Sequence, residues 1–161
     1  MQIRIATVND FNQIWPIFHD IVKAGDTYAY APETNQIEAQ KIWIKQPQET
    51  FIAEKNGKVL GTYYIKTNQA GPGKHVCNCG YMVSSIARGQ GLATMMCEHS
   101  QATAREMGYK AMQFNFVASS NITAVKLWQK FGFETVGNLP KAFNHPEAGL
   151  IDALAVPYTH P

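Results

Sequence analysis

No apolar run in this sequence approaches the roughly 18 residues that a helix needs to cross a bilayer, so a membrane-spanning helix is not expected. Cysteine is scarce and odd in number, three in 161 residues, which offers no disulfide framework. No signal-type segment precedes Met1-Gln2-Ile3-Arg4, and with the cysteine count this makes a reducing, cytoplasmic setting the expectation. An excess of either charge is missing too. Fourteen Lys and Arg stand against twelve Asp and Glu, a net +2 with the basic residues scattered, so nothing calls for a nucleic-acid or membrane partner. Repeats, linkers and low-complexity tracts are absent, as are paired carboxylates and any Ser/His/Asp order that would point to an acyl-enzyme. What remains is 45% hydrophobic and 16% charged, the balance of one folded domain spanning 1–161.

Gln2 to Thr7 alternates as a short strand. Phe11, Ile14, Trp15, Phe18 and Val22 then recur at helical spacing behind a cap at Asn9 or Asp10, with Pro16 set to kink the helix or move its start. After the loop Thr27-Tyr28-Ala29-Tyr30-Ala31-Pro32, Thr34 to Lys45 reads as a second helix. Phe51–Glu54 and Val59–Ile65 flank Asn56-Gly57, a strong hairpin signal. His75–Val83 reads as a strand, Gly91–Met107 as a helix, Ala111–Val117 as a strand and Ile122–Phe131 as a helix. Phe133–Val136 and Leu150–Val156 read as the last strands, with Leu139–Pro146 a loop between them. This order predicts an α/β fold, one mixed sheet covered by helices. His75, Cys77 and Cys79 alternate onto one strand face, but they supply only part of a ligand set, so no metal is expected. His99 lies on the apolar stripe of its helix and is expected to pack there.

The most informative stretch is Arg88-Gly89-Gln90-Gly91-Leu92-Ala93, between the apolar Tyr81-Met82-Val83 and a long helix. Glycines let the backbone take conformations that other residues resist, and the start of a helix presents free N–H groups to an anion. Arg88 adds a permanent charge and a fork of donors suited to phosphate oxygens. The stretch reads as a pyrophosphate cradle, against the plainer alternative of a tight turn. No Gly-Lys-Ser/Thr follows and the dinucleotide spacing is absent, so the two commoner phosphate loops are excluded.

The same six residues match Gln/Arg-x-x-Gly-x-Gly/Ala, the acetyl-CoA loop of the GCN5-related N-acetyltransferases. Downstream, Asn121-Ile122-Thr123-Ala124-Val125-Lys126-Leu127-Trp128-Gln129-Lys130-Phe131-Gly132-Phe133 is similar to that family's second signature. The chain thus resembles the GNAT superfamily over nearly its whole length. The resemblance implies a single domain with a mixed twisted sheet, helices on both faces, and two central parallel strands, His75–Val83 and Ala111–Val117, that splay apart beside the cofactor. It implies acetyl-CoA as co-substrate and no metal, with a small amino-acid-like amine attacking the thioester directly in a ternary complex. Arg88, Gly89, Gln90, Gly91, Leu92 and Ala93 would hold the pyrophosphate. Backbone groups of Met82 and Val83 would pair with the pantetheine arm, and an N–H near Val83 would polarise the carbonyl. Asn121, Ala124 and Trp128, on one helix face, would line its other side, with a simple helix cap as the alternative role for Asn121. Tyr28 and Tyr30 fall in the region that walls the acceptor site in relatives, or else merely anchor their loop.

Many relatives carry a tyrosine at the position of Trp128 to protonate the leaving thiolate, which indole cannot do. With His75–Val83 and Leu139-Pro140-Lys141-Ala142-Phe143 followed by His145-Pro146, that tryptophan makes the chain most similar to the branch acetylating proline analogues such as azetidine-2-carboxylate. Asn78 and Asn115, amides on the two strands expected to splay, are the candidates for catalysis and acceptor binding, because asparagine is a poor strand former and a buried amide needs partners. Acetylation of a protein or peptide amine and a non-catalytic acyl-CoA sensor are the alternatives. A homodimer through the tail after Gly137 is a further expectation.

Overall fold

The computed structural model of the protein describes residues 1–159. Seven strands form one sheet: β1 (Gln2–Ile5), β2 (Glu49–Lys55), β3 (Lys58–Thr67), β4 (Val76–Val83), β5 (Ala111–Ala118), β6 (Gly137–His145) and β7 (Gly149–Thr159). Their spatial order is β1-β2-β3-β4-β5-β7-β6. The helices are α1 (Phe11–Ala24), α2 (Gln36–Gln40, continued by a π turn through Lys45), α3 (Leu92–Glu106) and α4 (Ile122–Lys130). β2 and β3 meet at Asn56 and Gly57, with φ of 53° and 76°, the doubly positive turn that matches strand twist.

Strand alternation sorts the core into two layers. Ile52, Tyr64 and Met82 face α1 and α2, packing with Phe18, Val22 and Trp43. Tyr63, Cys77 and Cys79 face the opposite side, under Leu92, Met96 and Cys97 of α3, where Val125 and Trp128 of α4 join them. All three cysteines are buried and free. The helices therefore cover both faces, as expected. Among the described residues no helix is long and apolar enough to cross a membrane.

The first strand is pinned by charge. Arg4 forks onto both carboxylate oxygens of Asp10 at 2.8 and 2.9 Å and onto Glu54 at 3.0 and 3.2 Å. Thr7 donates its N–H and O–H to Asp10 Oδ2, so this carboxylate organises the turn ahead of α1. The Arg4 hydrogen bonds hold the Asp10 carboxyl well below the usual carboxylate range. A depressed carboxyl stabilises the fold above its unfolded pKa of about 3.9, and that contribution fades as pH falls through the native value. Asp10→Asn is therefore expected to lower Tm near neutrality, with the gap to wild type shrinking below about pH 4. Thermal melts across that range check it, and a gap independent of pH would refute the linkage.

Two sequence expectations need correction. The loop expected at Leu139–Pro146 is largely strand, for β6 runs Gly137–His145, whereas the strand expected at 133–136 does not form there. Pro140 fits because β6 is the sheet's edge, where a missing N–H breaks no ladder, and Lys141 takes φ 54° in the irregularity between Leu139 and Phe143. The second helix starts at Gln36 rather than Thr34, because Asn35 caps it by accepting from Glu38 N–H at 3.0 Å. Pro16 lies inside α1, which runs through it.

The feature that makes a site is between β4 and β5. These strands pair in parallel only at Val76–Ala111 and Cys77–Met112. Beyond that point β4 continues to Val83 and β5 to Ala118 without pairing, so the sheet opens at its centre.

Candidate active site

The cradle lies where β4 runs out. A short 3-10 turn at Ser85–Ala87 leads to Arg88, extended and exposed, then to Gly89 at φ 74° and Gly91 at φ 76°. The Gln90 side chain donates to Ile86 C=O at 3.0 Å and braces the loop. Gly91 is the N-cap of α3 and brings no side chain to it. The first intrahelical bond runs from Met95 N–H to Gly91 C=O at 3.1 Å. The amides of Leu92, Ala93 and Thr94 ahead of it are the free donors of a helix start, where Ser or Asp would ordinarily supply a cap.

The opened strand edge can be read from hydrogen-bond alternation. Ser84 N–H bonds Leu60 C=O and Asn68 N–H bonds Val76 C=O, so even-numbered residues of β4 turn their backbone groups toward β3. Those of Cys79, Tyr81 and Val83 face the gap. Of the two residues named from the sequence, Val83 thus has its backbone on the open edge. Met82 does not: its backbone belongs to the β3 ladder and its side chain is buried in the α1 layer.

Across the gap, α4 presents Asn121, Ala124 and Trp128, all partly buried. Asn121 caps the helix by accepting from Ala124 N–H at 3.4 Å. Trp128 packs on Phe114, ring centroids 4.4 Å apart, and Phe114 stacks in turn on Phe133 at 4.7 Å.

The α1 face of the gap is aromatic. Tyr28 and Tyr30 stack at 5.5 Å and 8°, and Tyr28 O–H donates to Tyr81 C=O at 2.8 Å, tying the loop to the open edge of β4. Tyr64 O–H donates to Asn78 Oδ1 at 2.9 Å, and Asn78 Nδ2 donates to Gln113 C=O at 2.9 Å. Burial pushes the phenols of Tyr28, Tyr30 and Tyr64 up, so they stay protonated near neutrality and serve as donors rather than bases. Tyr81 faces the other layer: its hydroxyl meets Ser100 Oγ at 2.8 Å, and burial raises it well above the ordinary phenol range.

Asn115 departs from its expectation of a buried sheet amide. It is exposed, donating to Asn68 Oδ1 at 2.6 Å and accepting from Gln113 Nε2 at 3.0 Å. An irregularity between Phe114 and Val117 leaves Asn115 and Phe116 both exposed, so simple alternation fails there.

One cavity of about 1140 Å3 joins these walls, bordered by every residue expected from the sequence to bind the cofactor or the acceptor except Gln90. Its charges are polarised. Arg88, Lys126 and Lys130 come from the α3 and α4 side, while Asp20 and Asp26 come from α1 and the loop after it. Sequence reading missed those carboxylates and Tyr64. Tyr64 carried a usable signal, since its alternation with Tyr63 put one of the pair on each face. Among the described residues no group of three or more His, Cys, Asp or Glu side chains is placed to hold a metal ion.

Known proteins resemble this chain over the same elements. The model of the acetyltransferase (GNAT) family matches residues 11–133, which include Tyr28, the cradle and Trp128. The chain is 32% identical over 104 residues to the N-acetyltransferase aca1 of Schizosaccharomyces pombe, covering 64% of this chain and 50% of that protein. It thus spans about half the length of this curated relative. The structure of a GCN5-related N-acetyltransferase from Kribbella flavida is similar at TM-score 0.93 and 38% identity, over 99% of this chain and 97% of that one. A phosphinothricin acetyltransferase from Sinorhizobium meliloti, solved in complex with acetyl-CoA, shares the fold at TM-score 0.86 and 16% identity, over 98% of this chain and 87% of that one.

Proposed function

This chain belongs to the GNAT family of acetyltransferases, and we propose that it transfers acetyl from acetyl-CoA to a small amino-acid-like amine by direct attack in a ternary complex. The observation that carries this reading is the continuous cavity from the Arg88–Ala93 cradle, through the gap between β4 and β5, to the Tyr28–Tyr30–Asn78 wall. Its donor set fits the cofactor: helix-start amides and an arginine fork for a diphosphate, an open strand edge at Val83 for an amide-bearing arm, and the indole of Trp128 for apolar cover. Acetyl-CoA supplies the activated acetyl group when bound.

In this reading Asp20 and Asp26 draw an ammonium toward the cavity, and the amine attacks only after its proton passes to water or to one of these carboxylates. The neutral phenols and the Asn78 amide orient it, and Asn115, at the rim, meets the part of the acceptor that projects outward. Residues 1–161 act as one catalytic domain. Placement in the branch acting on proline analogues is supported by Trp128 together with the His75–Val83 and Leu139–Pro146 segments.

The test is thiol release from acetyl-CoA against a panel of free amino acids, cyclic imino acids such as azetidine-2-carboxylate, simple amines and peptides. Release that depends on a small amine bearing a carboxylate is the expected result. Release only with peptides would move the acceptor class. Tight acetyl-CoA binding with no acceptor-dependent release would make the protein a sensor.

A further inference from the structure

The sheet opens at a defined residue, and the side chain there closes the ladder. The register Val76–Ala111 and Cys77–Met112 places Gln113 C=O toward β4, where the next parallel bond would come from Cys79 N–H. That bond is replaced by one from a side chain. Asn78 Nδ2 takes the Gln113 carbonyl at 2.9 Å, while its Oδ1 accepts from Tyr64 O–H at 2.9 Å. An amide could satisfy Gln113 in only one of its two flipped orientations, because only nitrogen donates.

We infer that Tyr64 is a positioning residue of the acceptor site: its hydroxyl, by donating to Asn78 Oδ1, fixes the amide so that one N–H caps the end of the β4–β5 ladder and the second is left to the cavity. Both Asn78 and Tyr64 border that cavity. A ring held in one place makes a dependable donor, and Gly80 provides the place. A Cβ on Gly80 would lie 2.7 Å from Tyr64 Cε1 and 3.0 Å from Cζ, so the ring rests against bare backbone. Burial keeps the Tyr64 phenol protonated, hence a donor, through the neutral range. The chemistry recognised by the remaining Asn78 N–H is an acceptor oxygen, the carboxylate of an amino-acid-like amine being the favoured one. This step rests on the acetyltransferase reading of the cavity.

Two measurements test it. In steady-state kinetics, Tyr64→Phe should lower acceptor kcat/KM by about tenfold, the scale of one oriented hydrogen bond, with acetyl-CoA Kd unchanged. In an Asn78→Ala background the same Tyr64→Phe change should have no further effect, because Tyr64 acts through the amide. An equal loss in both backgrounds, or a lowered Tm with kinetics intact, would overturn the inference. The second measurement needs no turnover. In the free protein, NMR should find an Asn78 side-chain amide proton protected from solvent exchange, with protection lost in Tyr64→Phe. Protection that survives Tyr64→Phe sinks the positioning role even if no acceptor is ever found, whereas its loss in a protein without turnover would retire only the catalytic reading.

Discussion

Gly91→Val protein is expected to fold and to lose acetyl-CoA affinity by at least about a hundredfold. The loss of two or three bonds to a charged diphosphate, at about 1.5–3 kcal/mol each, reaches that size readily. A Cβ at Gly91 would meet no protein atom within 4 Å, so it projects into the space at the mouth of the cradle. The complication is backbone strain. Gly91 has φ 76°, and a left-handed residue other than glycine costs roughly 1–2 kcal/mol whatever surrounds it. Gly57 separates the two effects. It has the same φ of 76° and the same empty surroundings, but it turns the β2–β3 hairpin and borders no part of the cavity. Gly57→Val should therefore lower Tm by a similar amount and leave acetyl-CoA binding untouched. Arg88→Ala belongs to the same series and should cost about 1–3 kcal/mol of binding, roughly five- to 150-fold in Kd, without the strain. Calorimetry on the three folded variants decides it. Unchanged acetyl-CoA affinity in Gly91→Val would falsify the cradle.

The cradle is legible in the sequence because everything it needs is local: glycines, an arginine and a helix start lie within six residues. The splay between β4 and β5 is not local. No residue pattern in either strand announces that pairing stops after Cys77–Met112, and only resemblance to a family suggests it. Asn115 shows the same limit from the other side. A two-residue period puts it inside the sheet, but the irregularity after Phe114 sends two consecutive side chains outward. Bulges depend on partner strands and leave little trace in one sequence. Tyr64 is marked only by its alternation with Tyr63, because β3, buried from Val59 through Ile65, otherwise reads as a continuous apolar run in which neither face stands out. The expectation for Met82 fails for a related reason, since backbone direction follows register rather than residue type.

Trp128→Phe is expected to keep most of kcat, and Trp128→Ala to raise the acetyl-CoA KM by about tenfold, the worth of part of a large apolar contact. The reasoning concerns the proton on the departing sulfur. An indole N–H neither accepts a proton nor gives one up near neutrality. Tyr81, the phenol of β4 itself, is committed to Ser100 Oγ at 2.8 Å and Met112 Sδ at 3.6 Å in the α3 layer, and its burial holds it neutral. A thiol, which ordinarily ionises near pH ~8.5, is however a tolerable leaving group that water can protonate after it departs. A positioned acid would typically add roughly 10²–10⁴-fold, and under the proposed reading the site forgoes that share. Two consequences follow for rate against pH. A phenol that supplied the proton would, held by burial above the ordinary range, stay protonated to about pH 10, so removing it rather than raising the pH is what would reveal its part. Without one, kcat should rise as the acceptor amine loses its proton and then stay level to about pH 10, beyond the range in which a free thiol ionises. Tyr81→Phe should leave this profile unchanged. The Phe114–Trp128 contact at 4.4 Å gives the indole its other role, a wall held in place by the Phe114–Phe133 stack behind it. Phenylalanine keeps that wall and alanine removes it. A kcat loss of about a hundredfold or more in folded Trp128→Phe, with acetyl-CoA KM unmoved, would mean that the indole N–H takes part in the chemistry, since only an interaction confined to the transition state behaves that way.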